Sequence, residues 1–256
     1  MQTVLITGAS SGIGQALAMK YLKRGDRVAV LSRRAEETAS AFGADSSSLI
    51  ALNCDVLDAE ATRIAVSEVF TRFGDVDIAI SNAGVSIPTP ARKFHLGDAI
   101  QVLRTNVEGT LHLFAAIIPR MVEREQGRFV GVASIAGLRG LPTSGVYSAS
   151  KAAMQAFLEA ARIELASRNV GVTIVNPGFV RTPMTDKNRF PMPFLMEPEA
   201  AAEMIIRGID RGKRVVEFPL PMSLFLPLTR IMPSPIYDRL MAPYAKREID
   251  PSKFQR

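Results

Sequence analysis

Short, almost wholly apolar runs alternate along this chain with longer stretches whose apolar positions recur at helical spacing. Thr3–Thr7, Arg27–Ser32, Leu49–Cys54, Asp77–Ser81, Arg128–Ala133 and Val172–Asn176 are rich in Val, Ile and Leu and are bounded by Gly, Asp or Asn. That is the pattern of strands buried on both faces. Ile13–Lys23, Ala35–Phe42, Ala59–Phe73, Leu96–Glu123, Tyr147–Ala166 and Glu197–Asp210 carry the helical period, the last with Pro198 and Glu199 in its first turn. Arg214–Phe218 adds a final strand. The alternation predicts right-handed βαβ crossovers and an α/β fold, a doubly wound parallel sheet with helices on both faces. Such sheets bind ligands beyond the carboxyl ends of their strands, so the chemistry is sought there.

No repeat and no linker divides the 256 residues, and 1–256 reads as one domain. With 47% hydrophobic and 22% charged residues the chain can fill a substantial core. Its one cysteine, Cys54, excludes an intramolecular disulfide and a cysteine metal cluster and fits a reducing compartment. MQTVLITG lacks the charged-then-apolar form of a signal peptide, so the expected location is cytoplasmic.

The first strand leads into Thr7-Gly8-Ala9-Ser10-Ser11-Gly12-Ile13-Gly14 at the opening of a helix. Glycines there permit a tight turn and let backbone N–H groups approach a pyrophosphate, with the helix dipole helping. The spacing is G-x-x-x-G-x-G, so the match to dinucleotide fingerprints is by mechanism and position. The second strand ends at Ser32, where an acid for a ribose 2′-hydroxyl would stand, and Arg33 and Arg34 follow. A guanidinium pair suits a 2′-phosphate, which favours NADP(H) over NAD(H); the plainer reading is two solvated arginines. Asp55 and Val56 follow the third strand and Asn82, Ala83 and Gly84 the fourth, where an adenine and a ribose would lie.

Ser134 ends the fifth strand, and Tyr147 and Lys151 stand four apart on a helix, on one face. A tyrosine near its ordinary pKa of about 10 is a poor base, and a nearby ammonium brings it toward the working range. Ser134 can hydrogen-bond a substrate oxygen as charge develops on it. Taken alone, a Tyr–Lys pair at this spacing is weak evidence.

Together the pieces resemble the short-chain dehydrogenase/reductase family, in its subgroup of about 250 residues. TGASSGIG (7–14), CDV (54–56), SNAG (81–84), TNVEG around Asn106, VASIAG (132–137), YSASK (147–151) and NPGFVRT (176–182) occur in the family's order. Ser81 stands where the family often has Asn, and the chain beyond about residue 217 carries none of the common motifs. The resemblance implies a Rossmann-type sheet of about seven strands, a nicotinamide cofactor and a catalytic tetrad of Asn106, Ser134, Tyr147 and Lys151. Tyr147 would be the general acid or base. Lys151 would bind the nicotinamide ribose and lower the tyrosine pKa. Ser134 would orient substrate, and Asn106 would hold a water that relays protons through Lys151. Pro177, Gly178, Val180 and Thr182 would hold the nicotinamide end. The expected reaction moves a hydride between NADP(H) and a small-molecule carbonyl or alcohol; a non-catalytic NADP-binding sensor or scaffold is the alternative. A homodimer or homotetramer is expected from the family.

Val85–His95, Met184–Met196 and Phe218–Tyr237 break the alternation. Val85–His95, Leu138–Gly145 and Met184–Met196 would wall the substrate, the last as an apolar lid over 184–196. The extension 218–256 is apolar and then basic. Residues 207–256 are net +5 of the chain's +6. Phe218–Tyr237 holds five prolines, against a spanning helix, so it packs on the domain or a partner subunit, or else lies at a membrane surface, the less favoured reading. His95 and His112 have no metal-ligand spacing, no metal is expected, and the basic tail has no nucleic-acid reader motif.

Overall fold

The apolar runs fold as β1 (Thr3–Thr7), β2 (Arg27–Ser32), β3 (Leu49–Asn53), β4 (Ile78–Ser81), β5 (Gly127–Val132), β6 (Val170–Pro177) and β7 (Val215–Phe218). The computed structural model describes residues 1–43, 47–188 and 190–245, without the side chains of 224–227. All neighbouring strands pair in parallel, in the order β3-β2-β1-β4-β5-β6-β7. The helices are α1 (Gly12–Lys23), α2 (Ala35–Phe42), α3 (Ala59–Phe73), α4 (Leu96–Leu103), α5 (Gly109–Glu123), α6 (Gly145–Leu165), α7 (Pro198–Asp210), α8 (Leu220–Ile231) and α9 (Ser234–Ala245). The doubly wound sheet expected from the alternation is present.

Strand residues alternate between two cores. Val4, Ile6, Val28, Val30, Ile80 and Val130 meet Leu17 of α1 and Ile205 of α7 on one side. Leu5, Ala29, Leu31 and Phe129 meet Val69 of α3, Leu113 of α5 and Leu158 of α6 on the other. Both faces are covered, which is why the strands read as continuous apolar runs.

One expectation changes. Leu96–Glu123 is not one α-helix: a π-helical turn at Arg104–Glu108 separates α4 from α5 and carries Asn106. Such a turn inserts an extra residue, and it is common at functional sites. Phe218–Tyr237 is largely helical. Pro219 caps α8, and Pro221 and Pro235 lie in the first turns of α8 and α9, where a missing N–H costs nothing. Neither helix is long and apolar enough to cross a membrane. Lys246–Arg256 of the basic tail and Arg189 of the 184–196 loop lie outside the described residues.

The fully buried Phe129 of β5 sits edge-on to Phe114, which is edge-on to Phe157. Phe129→Ala is expected to lower unfolding free energy by about 3–5 kcal/mol, since the sheet on one side cannot close the cavity. Urea titration with an unchanged slope reads this out, and a loss under about 1 kcal/mol would contradict the placement.

Candidate active site

At the end of β1 the chain turns through Gly8 and Gly12, both left-handed at φ 68° and 59°. A Cβ on Gly8 would fall 2.7 Å from the Ala83 backbone, and one on Gly12 would fall 2.8 Å from Thr182. One on Gly14 would overlap Asn82 and the Gly8 carbonyl. The turn is therefore bare backbone packed between two loops. Ser11, at the N-cap of α1, makes no side-chain bond to the first turn, so its N–H groups remain directed at the cleft. This bare, uncapped helix start fits a dinucleotide pyrophosphate.

β4 is stitched to the same turn. Thr7 Oγ1 accepts the N–H groups of Asn82 and Ala83, each at 3.1 Å. Asn82 Nδ2 donates to the carbonyls of Thr7 and Gly8 at 3.1 and 3.0 Å. Here the winding of the sheet reverses, and the cleft opens between the two loops.

The cleft has a volume of about 380 Å³. Of the residues singled out above, Ser10, Ser11, Ile13, Asp55, Val56, Gly84, Pro177, Gly178, Val180 and the rest line it, with two exceptions. Gly14 is buried beneath the turn, and Asn106 is fully buried behind the wall. At one end Arg33 and Arg34 are exposed, and Arg34 reaches Ser10 at 3.5 Å. Ser32 faces inward: its hydroxyl accepts the Arg34 N–H and meets the Thr38 hydroxyl at 3.2 Å, bracing the turn into α2. Asp55 accepts the Leu57 N–H, and Gly109 packs on Val56, whose carbonyl meets His112 Nδ1 at 2.8 Å. His95 caps α4 through the Asp98 N–H.

At the other end Ser134, Tyr147 and Lys151 meet. Burial pushes the Tyr147 phenol up, and a hydrogen bond with Ser134 partly offsets this. The expected lowering by Lys151 is not what this geometry produces. The ammonium lies 5.9 Å from the phenol ring centroid and donates to the Val132 carbonyl at 2.8 Å. Burial pushes Lys151 itself down to about 8. Asn106 acts as a clamp: Oδ1 accepts the Val85 N–H, and Nδ2 donates to the Val85 carbonyl and to Ser150 Oγ.

Sequence reasoning missed the support behind this group. Gln155 Nε2 donates to the Ser134 carbonyl at 2.7 Å and to Asn176 Oδ1, and Asn176 Nδ2 donates to Glu217 at 2.8 Å. Gln155 was within reach, because Tyr147, Lys151 and Gln155 recur every four residues on one helix face.

The expected walls divide. Val85 and Ile87 line the cleft, as do Met184, Thr185 and Lys187. Phe190 packs edge-on to Phe179, and Met196 is strapped to Phe179 and Arg181 by backbone bonds. Leu138–Gly145 does not line the cleft; it grips the C-terminal helices instead. Arg139 donates to the Thr229 and Met232 carbonyls and stacks 3.8 Å from the Tyr237 ring, whose hydroxyl donates to Gly140. The start of α8 packs on Gly178, a contact that sequence reasoning left out. A Cβ on Gly178 would fall 2.8 Å from Pro219 and 3.0 Å from Met222 Sδ.

The depressed Lys151 carries a pH signature. Between about 8 and its ordinary 10.5 the unfolded chain holds a proton that the folded chain lacks, so folding gains stability as pH rises through that window. Below it both states are protonated and the contribution is constant. Relative to Lys151→Met, the wild-type Tm is expected to climb by a few degrees from about pH 7.5 to about pH 9.5. A difference that is flat or falling would show an ammonium in ordinary solvent.

A family model described as short chain dehydrogenase matches residues 2–192. An uncharacterized oxidoreductase of Myxococcus xanthus is 38% identical over 243 residues, 93% of this chain and 95% of its own. An 11-beta-hydroxysteroid dehydrogenase-like 3 protein of Arabidopsis thaliana is 32% identical over 266 residues, 96% of this chain and 85% of its own. A short chain dehydrogenase from Burkholderia cenocepacia, solved in complex with NADP, superposes with a TM-score of 0.81 at 25% identity, covering 94% of this chain and 99% of its own. A match that runs from the first strand past Lys151 to Met192, on a shared fold, makes the chain a member of the short-chain dehydrogenase family of oxidoreductases.

Proposed function

We propose that the chain transfers a hydride between NADP(H) and an apolar carbonyl or alcohol in the cytoplasm, with Tyr147 as the general acid or base. The observation that carries this is one cleft with Ser134, Tyr147 and Lys151 at one end and Arg33 and Arg34 at the other. No carboxylate ends β2, and the arginines are exposed there to meet a 2′-phosphate. The Burkholderia neighbour's bound NADP supports the same choice. The Arabidopsis relative's name, and Val85, Ile87 and Met184 in the lining, support a hydrophobic substrate.

The bound cofactor supplies hydride chemistry at its nicotinamide, and the chain supplies orientation and protons. Gly8, Gly12 and the first turn of α1 hold the pyrophosphate. Pro177, Gly178, Val180 and Thr182 hold the nicotinamide end. Lys151, fixed by Val132, would present its ammonium to the nicotinamide ribose. The Tyr147 phenol, whose pKa burial raises above its ordinary value, carries the proton that a carbonyl oxygen would take. Ser134 orients that oxygen. Residues 184–196 serve as the lid, pinned by Phe190 at Phe179 and by Met196 beside Val180.

NADPH oxidation over a panel of aldehydes, diketones, cyclic ketones, steroids and acyl thioesters tests this. Tyr147→Phe is expected to lower turnover about 10²- to 10⁴-fold with NADPH still bound. Arg33→Ala with Arg34→Ala is expected to raise the KM for NADPH on the order of tenfold or more and to leave that for NADH unchanged. Tyr147→Phe at wild-type rate would sink the assignment. NADPH binding with no turnover of any panel member would favour the sensor or scaffold.

Leu96, Ile100, Leu103, Leu111 and Ile163 stand exposed on α4, α5 and α6, with Ile163 69% exposed. We propose that a second copy covers this face. Sedimentation velocity is expected to return a dimer or tetramer, and Leu103→Glu with Leu111→Glu to lower that mass. A wild-type monomer would refute it.

A further inference from the structure

The C-terminal helices have two apolar faces, and among the described residues only one is covered. Inward, Met222 packs at Gly178, and Tyr237 is buried under Arg139 and bonded to Gly140. Outward, α8 presents Leu220, Leu228 and Ile231, the last 81% exposed. On α9, Ile236, Leu240 and Tyr244 recur every four residues and are all exposed. An apolar stripe at helical spacing normally turns inward, so two such stripes turned outward on adjacent helices mark a surface that is covered in use.

Charge decides what covers it. Between Leu220 and Ala245 the only acid is Asp238, against Arg230 and Arg239. Arg92 donates to the Ala245 carbonyl, which brings the turn Ala91–Lys93 and the exposed Phe94 beside the end of α9. Arg92, Lys93, Arg230 and Arg239 make no ion pair among the described residues, although pairs are plentiful elsewhere. A twofold contact of this face with itself would set arginines against arginines. An anionic lipid surface takes both features at once: apolar side chains enter the acyl boundary and the basic rim meets the headgroups.

We propose that the outer faces of α8 and α9, rimmed by Arg92, Lys93, Arg230 and Arg239, dock the enzyme on an anionic membrane surface. The packing of these helices on the domain and their lying on a membrane are then two faces of one arrangement. α8 packs on Gly178 with one side and meets lipid with the other.

The probe is co-sedimentation of the full chain with vesicles of phosphatidylcholine mixed with phosphatidylglycerol, beside pure phosphatidylcholine. The wild type is expected in the anionic pellet, less in the neutral one, and less as salt rises. Arg230→Gln and Arg239→Gln are each expected to lower partitioning on the order of fivefold. Ile231→Ser with Ile236→Ser is expected to lower it by more, on the order of tenfold. Circular dichroism and the Tm confirm folding of every variant, and none of these residues belongs to the cleft. Wild type left in the supernatant with anionic vesicles overturns the proposal, as does unchanged partitioning of folded variants. Loss of solution mass in Ile231→Ser with Ile236→Ser, without any vesicle binding, assigns the face to a second copy and also overturns it.

Discussion

The hydrogen bonds that join Thr7 and Gly8 to Asn82 and Ala83 hold the two sides of the site in register. A parallel sheet wound in both directions leaves a gap where its direction reverses, and here that gap lies between the ends of β1 and β4. Without a tie, the two loops leaving those strands would be free to diverge. Thr7 accepts two backbone N–H groups of the second loop, and Asn82 answers with both hydrogens of its amide nitrogen. Each buried polar group is thereby satisfied, and the carbonyls of Thr7 and Gly8 are fixed in place. The glycines follow from this closeness: with Ala83 pressed on Gly8, and Asn82 on Gly14, a side chain has no room.

A second constraint is electrostatic. Lys151 is a buried ammonium, and burial disfavours its charge. The Val132 carbonyl, at the end of the neighbouring β5, offsets part of that cost. Tyr147 is disfavoured as phenolate by the same dry surroundings. Both groups thus move toward their neutral forms in this structure, one downward and one upward. Behind them Gln155, Asn176 and Glu217 tie α6, β6 and β7 together, so the positions of Ser134 and Lys151 are set by three elements at once.

Much of this was legible in residue order, for physical reasons. Strands covered on both faces must be apolar throughout, so β1 to β6 announced themselves and the sheet followed. The glycine turn, Ser134, Tyr147 and Lys151 lie at strand ends or one helical turn apart, which are local facts. The π-helical turn at Arg104–Glu108 was not legible, because one extra residue barely disturbs an apolar period running from Leu96 to Glu123. The fate of Ser32 was hidden too: a hydroxyl at a strand end can face a ligand or brace its own turn, and only Thr38 decides. The Asn176–Glu217 link joins residues far apart in sequence, beyond any local pattern. The prolines of Phe218–Tyr237 argued against a spanning helix, and neither helix there is long enough to span; several of them lie at helix starts, so two short helices form.

The contact of Gly178 with Pro219 and Met222 joins two stretches of chain with different obligations. The cleft residues between Gly8 and Thr182 sit at strand ends and are braced by buried hydrogen bonds, so a change there propagates into the sheet. The helix that leans on Gly178 comes after the last strand, held at one end by β7 and at the other by Arg139. Such a part can be resculpted in outline and length with little disturbance to the strands. Natural variation and laboratory recombination thus have a seam to work along, with the reacting centre on one side and the C-terminal helices on the other.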